Sequence, residues 1–157
     1  MLSVEGMRQQ AVLVIAKGGV RGRSGSDACS SRKAAVEVGT IEGMVLMIRR
    51  GGLLDASLVA DLWLCARRFA LGAVPAPVHS DDEVRSWFAS HVVSELELWI
   101  AESKNGELLG MLVLDGEWID QLYVDPTHTG HGIGSRLLEV AKRERPSGLR
   151  LWTFVSN

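Results

Sequence analysis

Cysteine, long apolar runs and a surplus of one charge are all scarce in this chain, and each scarcity closes a route. Among 157 residues there are two cysteines, Cys29 and Cys65. They lack Cys-x-x-Cys spacing and have no histidine clustered beside them, so the sequence supports neither a zinc site nor a disulfide framework. Reduced thiols in a cytoplasmic protein are the simplest expectation. No apolar stretch approaches the roughly 18 residues that span a bilayer; the best ones, at 11–16, 44–48 and 109–114, break within a few residues. No membrane partner is expected. Seventeen Lys and Arg against nineteen Asp and Glu leave a net charge of −2, where a dedicated nucleic-acid binder would carry a basic surplus. Nucleic acid is therefore not expected as a partner. What remains is the composition of an ordinary soluble domain, 46% hydrophobic and 23% charged, at a length that fits one domain.

That length divides unevenly. Residues 1–43 contain a Gly/Ser/Arg stretch at 17–26 with no apolar periodicity that could bury a face. Six Lys/Arg against four Asp/Glu give this segment +2, and the remaining eleven against fifteen give residues 44–157 a charge of −4. Glu5, Asp27, Glu37 and Glu42 argue against a transit peptide. The expectation is a disordered or non-domain extension over 1–43 and a folded domain over 44–157.

Within that body the periodicities switch in order. Residues 45–49 read as a short strand, and Leu58, Leu62, Cys65 and Phe69 recur at helical spacing over about 56–71. Pro75 and Pro77 make 72–79 a loop. Ser80 followed by Glu83 is a capping box that opens a second helix over about 81–93. Strands follow at 96–102 and 108–114, joined by the tight turn that Asn105 and Gly106 favour. Gly116 turns the chain into another strand at 118–124. A glycine-rich loop then leads to a helix over about 134–144, ended by Pro146, and a last strand over 149–155. The order βααβββαβ describes an α+β domain around a mostly antiparallel sheet.

The most distinctive chemistry sits between the fourth strand and the third helix. Gly130, Gly132 and Gly134 alternate, so side chains are absent where a ligand would approach, and the loop feeds a helix whose first N–H groups have no intrahelical partner. Such an end receives a diphosphate through backbone N–H groups and the helix dipole. The spacing alone also fits a plain strand-to-helix turn. Two named phosphate motifs are absent: no Gly-Lys-Ser/Thr follows, and Ser135 stands where the third glycine of a dinucleotide fingerprint would fall.

The run from Leu122 to Pro126, a short loop, Gly-x-Gly-x-Gly and a helix carrying Leu137 and Leu138 resembles the acetyl-CoA-binding motif of the GCN5-related N-acetyltransferase (GNAT) family, and the preceding βααβββ order resembles it too. The resemblance covers about 47–157. It implies an α/β/α sandwich-like acyl-CoA N-acyltransferase fold and acetyl-CoA as co-substrate. It further implies that Leu122, Tyr123 and Val124 receive the acetyl and pantetheine parts while the amides of Thr129, Gly130, His131, Gly132, Ile133, Gly134 and Ser135 receive the pyrophosphate. A bulge in the fourth strand is implied to splay it from the fifth and open the cofactor slot. The acceptor would be the primary amine of a small molecule or peptide, chosen by 72–79, Asp81, Asp82, Trp87 and Trp99. The motif departs from the family at Thr129, where Gln or Arg is usual, and at His131, often Arg.

Direct transfer to an amine needs a base and an oxyanion donor. The resemblance supplies the donor as a backbone N–H near Leu122. Asp120 is the first candidate base, being two residues from Leu122 and so expected on the same face; Glu117 is the second. The family usually continues past the fifth strand, through a helix that often carries a Tyr acting as general acid. Here the only tyrosine is Tyr123, and the last residue, Asn157, falls where the family often has a cofactor-contacting Asn. A fold lacking its final helix and strands is therefore expected to leave the edge of the fifth strand exposed, available to a second copy or to strand addition. Two functions compete on these residues: an N-acetyltransferase, and a catalytically impaired CoA-binding or interaction module.

Overall fold

A computed structural model describes residues 12–15, 36–41, 43–70 and 78–152. Seven strands form one sheet: β1 (Val12–Ile15), β2 (Glu37–Ile41), β3 (Met44–Arg50), β4 (Glu97–Ser103), β5 (Leu108–Asp115), β6 (Trp118–Val124) and β7 (Leu149–Trp152). In space they run β1-β7-β6-β5-β4-β3-β2. Every neighbouring pair is antiparallel except β6 and β7, which are parallel because helix α4 (Ile133–Glu144) crosses between them. On the other face lie α1 (Ala56–Phe69), α2 (Asp81–Trp87), a π-helical turn at Phe88–Val92 and the short α3 (Val93–Glu95). This is an α/β/α sandwich, and from β3 onward its element order is the expected βααβββαβ.

Two hydrophobic clusters flank the sheet. On the α4 face Ile133, Leu137, Val140 and Ala141 pack on Leu46, Ile48, Trp99, Leu112 and Leu114. On the α1 face Val59, Trp63, Val84 and Phe88 pack on Leu98, Ile100, Met111 and Val113. The capping box is present: Glu83 N–H donates to Ser80 Oγ (3.3 Å) and Ser80 N–H to Glu83 Oε2 (2.8 Å).

Three expectations need correction. The stripe on α1 is not Leu58–Leu62–Cys65–Phe69, because Leu58 and Phe69 are 56% and 76% exposed and Cys65 is exposed. Val59, Trp63 and Ala66, flanked by Ala60, Leu62 and Leu64, face the sheet instead. Both sets fit 3.6-residue spacing, and the bulk of Trp63 against β6 selects the second. Residues 1–43 are not wholly outside the domain, since β1 and β2 belong to its sheet. The Gly/Ser/Arg composition of 17–26 does not extend to 37–41, where Glu37, Gly39 and Ile41 alternate half-buried against exposed Val38 and Thr40. Gly43, at φ +83°, turns β2 into β3. The edge of β7 is not uncovered either: β1 pairs with it antiparallel from Val12↔Trp152 to Ile15↔Leu149. Strand addition at that edge would have to displace β1. Cys29, the loop residues 72–77 and the strand residues 153–155 lie outside the described residues.

Ion pairs tie the sheet to its connections. Arg49 on β3 grips Asp55 through two hydrogen bonds (2.9 and 3.1 Å) and reaches Glu102 on β4 (3.2 Å), while Asp55 also accepts the Gly52 N–H (2.8 Å). The Arg49 guanidinium holds the Asp55 carboxyl below the usual carboxylate range, helped by the Gly52 N–H and opposed by burial. A carboxyl depressed in the folded state stabilises above its unfolded pKa of about 4, and the contribution disappears as pH falls through the folded value. Replacing Asp55 by Ala should therefore cost about 1–3 kcal/mol at pH 7. In urea unfolding the gap between variant and parent should close toward pH 3.

Candidate active site

β6 leaves its neighbours at one point. Its ladder with β5 runs Gly110↔Val124 to Val113↔Gln121 and resumes at Leu114↔Ile119, so Asp120 is an extra residue with no partner opposite, a β-bulge. On the other side, among the described residues, β6 pairs with β7 at Trp118↔Arg150 and Ile119↔Leu151. Among the described residues, the backbone of Leu122, Tyr123 and Val124 thus has β5 on one side and no ladder partner on the other. The bulge also inverts the alternation of side chains. Ile119, Leu122 and Val124 pack toward α4, whereas Gln121 and Tyr123 face α1. Strict alternation back from Leu122 is interrupted at Asp120. Asp120 lies beside Gln121, whose Nε2–H donates to its Oδ2 (3.2 Å).

The loop after β6 is built from short-range hydrogen bonds. Asp125 accepts from Thr127 N–H (2.8 Å), Thr129 Oγ1–H donates to Pro126 O (3.1 Å), and His131 Nδ1–H donates to Thr129 O (3.0 Å). Burial pushes the Asp125 carboxyl up, but the bonds from Thr127 and His128 outweigh it and hold the carboxyl below its ordinary value. Gly130 and Gly132 take φ +83° and +79°, which only glycine adopts without strain, and Gly132 caps α4 with no side-chain bond. The first helical amide to reach a backbone acceptor is that of Arg136, on Gly132 O (3.1 Å). The N–H groups of Ile133, Gly134 and Ser135 precede it, as α-helix geometry requires. This end differs from that of α2, which Ser80 closes. The buried Ile133 side chain anchors the turn while its amide stays at the rim.

One residue that positions this end escaped the sequence reading. Gly110 on β5 lies under α4: a Cβ there would meet Tyr123 O and Leu137 Cδ1 at 3.1 Å and Ile133 Cγ2 at 3.2 Å. The helix can sit close to β5 only because that side chain is missing. A glycine inside the apolar strand 108–114 was the available signal.

The other nominated residues scatter. Glu117 lies exposed in the turn before β6, ion-paired with Arg150 (3.1 Å), and is not brought to Asp120. Asp81 pairs with Arg68 of α1 (2.5 Å), which ties α2 to α1, and Asp82 pairs with Arg85 within α2 (3.2 Å). Trp87 and Trp99 are buried on opposite faces of the sheet and offer no exposed platform. Asn157 lies outside the described residues. Trp63, read from sequence as core, is core, but its Nε1–H also donates to Gln121 Oε1 (3.0 Å), linking α1 to β6.

Comparison with known proteins narrows what an α/β/α sandwich with a bulged β6 and a glycine-opened α4 can be. Residues 94–157 match the acetyltransferase (GNAT) domain model. The peptidyl-lysine N-acetyltransferase YjaB of Salmonella typhimurium is 40% identical over 52 residues, which cover 33% of this chain and 36% of the relative. The Escherichia coli protein of that name is 28% identical over 105 residues, 66% of this chain and 68% of the relative. The chain thus matches about a third of one curated relative's length and about two thirds of the other's. The solution structure of apo-form YjaB from Escherichia coli superposes with a TM-score of 0.55 at 28% identity, covering 66% of this chain and 68% of that one. A possible acetyltransferase from Clostridium difficile superposes at 0.58 with 16% identity, covering 71% and 82%, a likeness of fold. Over residues 94–157 the chain is thus similar to the GNAT acetyltransferase domain.

Substituting Gly110 by Ala should cost about 1–3 kcal/mol, because the carbonyl of Tyr123 cannot give way. Thermal unfolding reads the loss directly.

Proposed function

We propose that this chain binds acetyl-CoA across the opening between β6 and β7 and transfers its acetyl group directly to a primary amine. The observation that carries the reading is the coincidence of the β6 bulge at Asp120 with the start of α4 at Gly132, which no side chain caps. The thioester arm of acetyl-CoA would lie along the backbone of Leu122, Tyr123 and Val124. Its pyrophosphate would take the N–H groups of the α4 first turn and the 129–132 loop, favoured by the positive end of the helix dipole. The names of the YjaB relatives point to a lysine side chain of a peptide or protein as the acceptor. Residues 12–15 and 37–41 belong to the same domain as 44–152 in this reading.

An alkylammonium cannot attack a thioester until it loses a proton. Asp120, at the bulge where the thioester would lie, is the base. The tetrahedral oxyanion would be met by a backbone N–H near Leu122, and collapse of the intermediate expels CoA. Glu117, paired with Arg150 in the preceding turn, takes no part.

Three outcomes follow. Acetyl-CoA at a hundred times its Kd should stabilise the fold by about 2.7 kcal/mol, and an unmoved melting temperature would remove the cofactor from the reading. Asp120→Asn should leave acetyl-CoA affinity intact and lower turnover of a lysine peptide at neutral pH by roughly 100-fold or more; equal turnover rules Asp120 out. His128 and His131, with ring centroids 6.5 Å apart, are the histidines of the phosphate loop. A protonated imidazole pairs with phosphate, so calorimetry should find tighter acetyl-CoA binding at pH 6 than at pH 8.

A further inference from the structure

Gln121 is buried, 7% exposed, on a strand whose other inward residues are apolar or aromatic. A buried amide must have partners, and here each of its two ends has one. Trp63 Nε1–H, itself in a residue 4% exposed, donates to Gln121 Oε1 (3.0 Å), and Gln121 Nε2–H donates to Asp120 Oδ2 (3.2 Å). An indole nitrogen can only donate. It therefore fixes which end of the amide is oxygen, and the NH2 end is left facing the carboxylate. Were the amide reversed, two donors would meet at Trp63 and two acceptors at Asp120. The bulge is what makes the arrangement possible, because it turns Gln121 toward α1 while keeping Asp120 next to it.

We propose that Gln121, oriented by Trp63, is a positioning residue that holds the Asp120 carboxylate at the bulge and favours its ionised form. As a catalytic statement this rests on the reading of Asp120 as the base; as a statement about the carboxylate it does not. The other titratable and charged groups on the elements packed along this side of β6 are Asp61, Cys65, Arg67 and Arg68 on α1, Tyr123 on β6, Asp115 on β5, and Arg150 on β7 paired with Glu117; the Arg67 guanidinium lies 5.1 Å from the Trp63 ring centroid, Asp61 pairs with Arg85 and Arg68 with Asp81. Asp120 is held by more than Gln121, and none of these groups is altered by changing Gln121.

The discriminating variant is Gln121→Glu. It is nearly isosteric and keeps an acceptor for Trp63, but replaces the donor facing Asp120 by a second carboxylate. Trp63→Phe is its complement, removing the donor that sets the amide. The experiment follows the carboxyl carbon shift of Asp120 by NMR in the full-length chain as pH is varied. In parallel, kcat/KM is measured against pH with acetyl-CoA and a lysine peptide. Gln121→Glu should raise the Asp120 midpoint by about one pH unit, as a like charge does. Trp63→Phe should raise it by less. A midpoint that stays in place in Gln121→Glu overturns the proposal. A midpoint that moves while the acid limb of kcat/KM stays fixed upholds the positioning of Asp120 and refutes Asp120 as the base. Movement of both together upholds both.

Discussion

Asp120 is the one residue of β6 with no residue opposite it on β5. The consequences of that insertion reach most of the candidate site. It breaks the ladder between β5 and β6 at Val113 and Leu114. It shifts the side-chain alternation by one, so that Ile119 and Leu122 both pack toward α4 although they stand three positions apart. A regular strand would have sent Gln121 into the α4 face, away from Trp63. The orientation of Asp120 and the contact between α1 and β6 therefore share one cause, and a bulge next to a functional site is where such local re-aiming is usually found.

Around that distortion the rest of the domain is held stiffly. Phe88, Val84 and Val59 on one face and Leu137, Ile133 and Val140 on the other are almost wholly excluded from water. α4 is drawn onto β5 at Gly110, which places its first turn beside the end of β6 instead of a side chain's width away. Its last turn is anchored by the chain that follows: Arg145 donates to Glu97 on β4 (2.6 Å) and to the Gly116 carbonyl. Glu97 also takes Arg50 of β3 (2.8 Å). Burial alone would raise the Glu97 carboxyl, but the bonds from Arg145 and Arg50 bring it below its ordinary value. A helix fixed at both ends can present its open amides without a capping side chain.

Most of the local structure was legible in the sequence. The strand at 118–124, the hairpin through Asn105 and Gly106, the Ser80–Glu83 cap and the glycine loop each depend on residues a few positions apart, and all are where their signals put them. β2 also had a local signal, in Gly43 and the alternation of 37–41. It was obscured by averaging that segment with the Gly/Ser/Arg stretch before it. The choice of stripe on α1 had no such signal, because Leu58 and Val59 begin equally good helical repeats.

By itself, then, the sequence determined the elements, their order and the glycine-rich loop that carries the family resemblance, since propensity, capping and turn geometry act within a few residues. Only the tertiary structure decided which face of α1 meets the sheet, on which side of the bulge Asp120 and Gln121 fall, and that β1 lies along β7. These are set by contacts between residues dozens of positions apart: Trp63 with Gln121, Gly110 with Leu137, Val12 with Trp152. No periodicity within one segment encodes which of two acceptable faces a distant partner will cover.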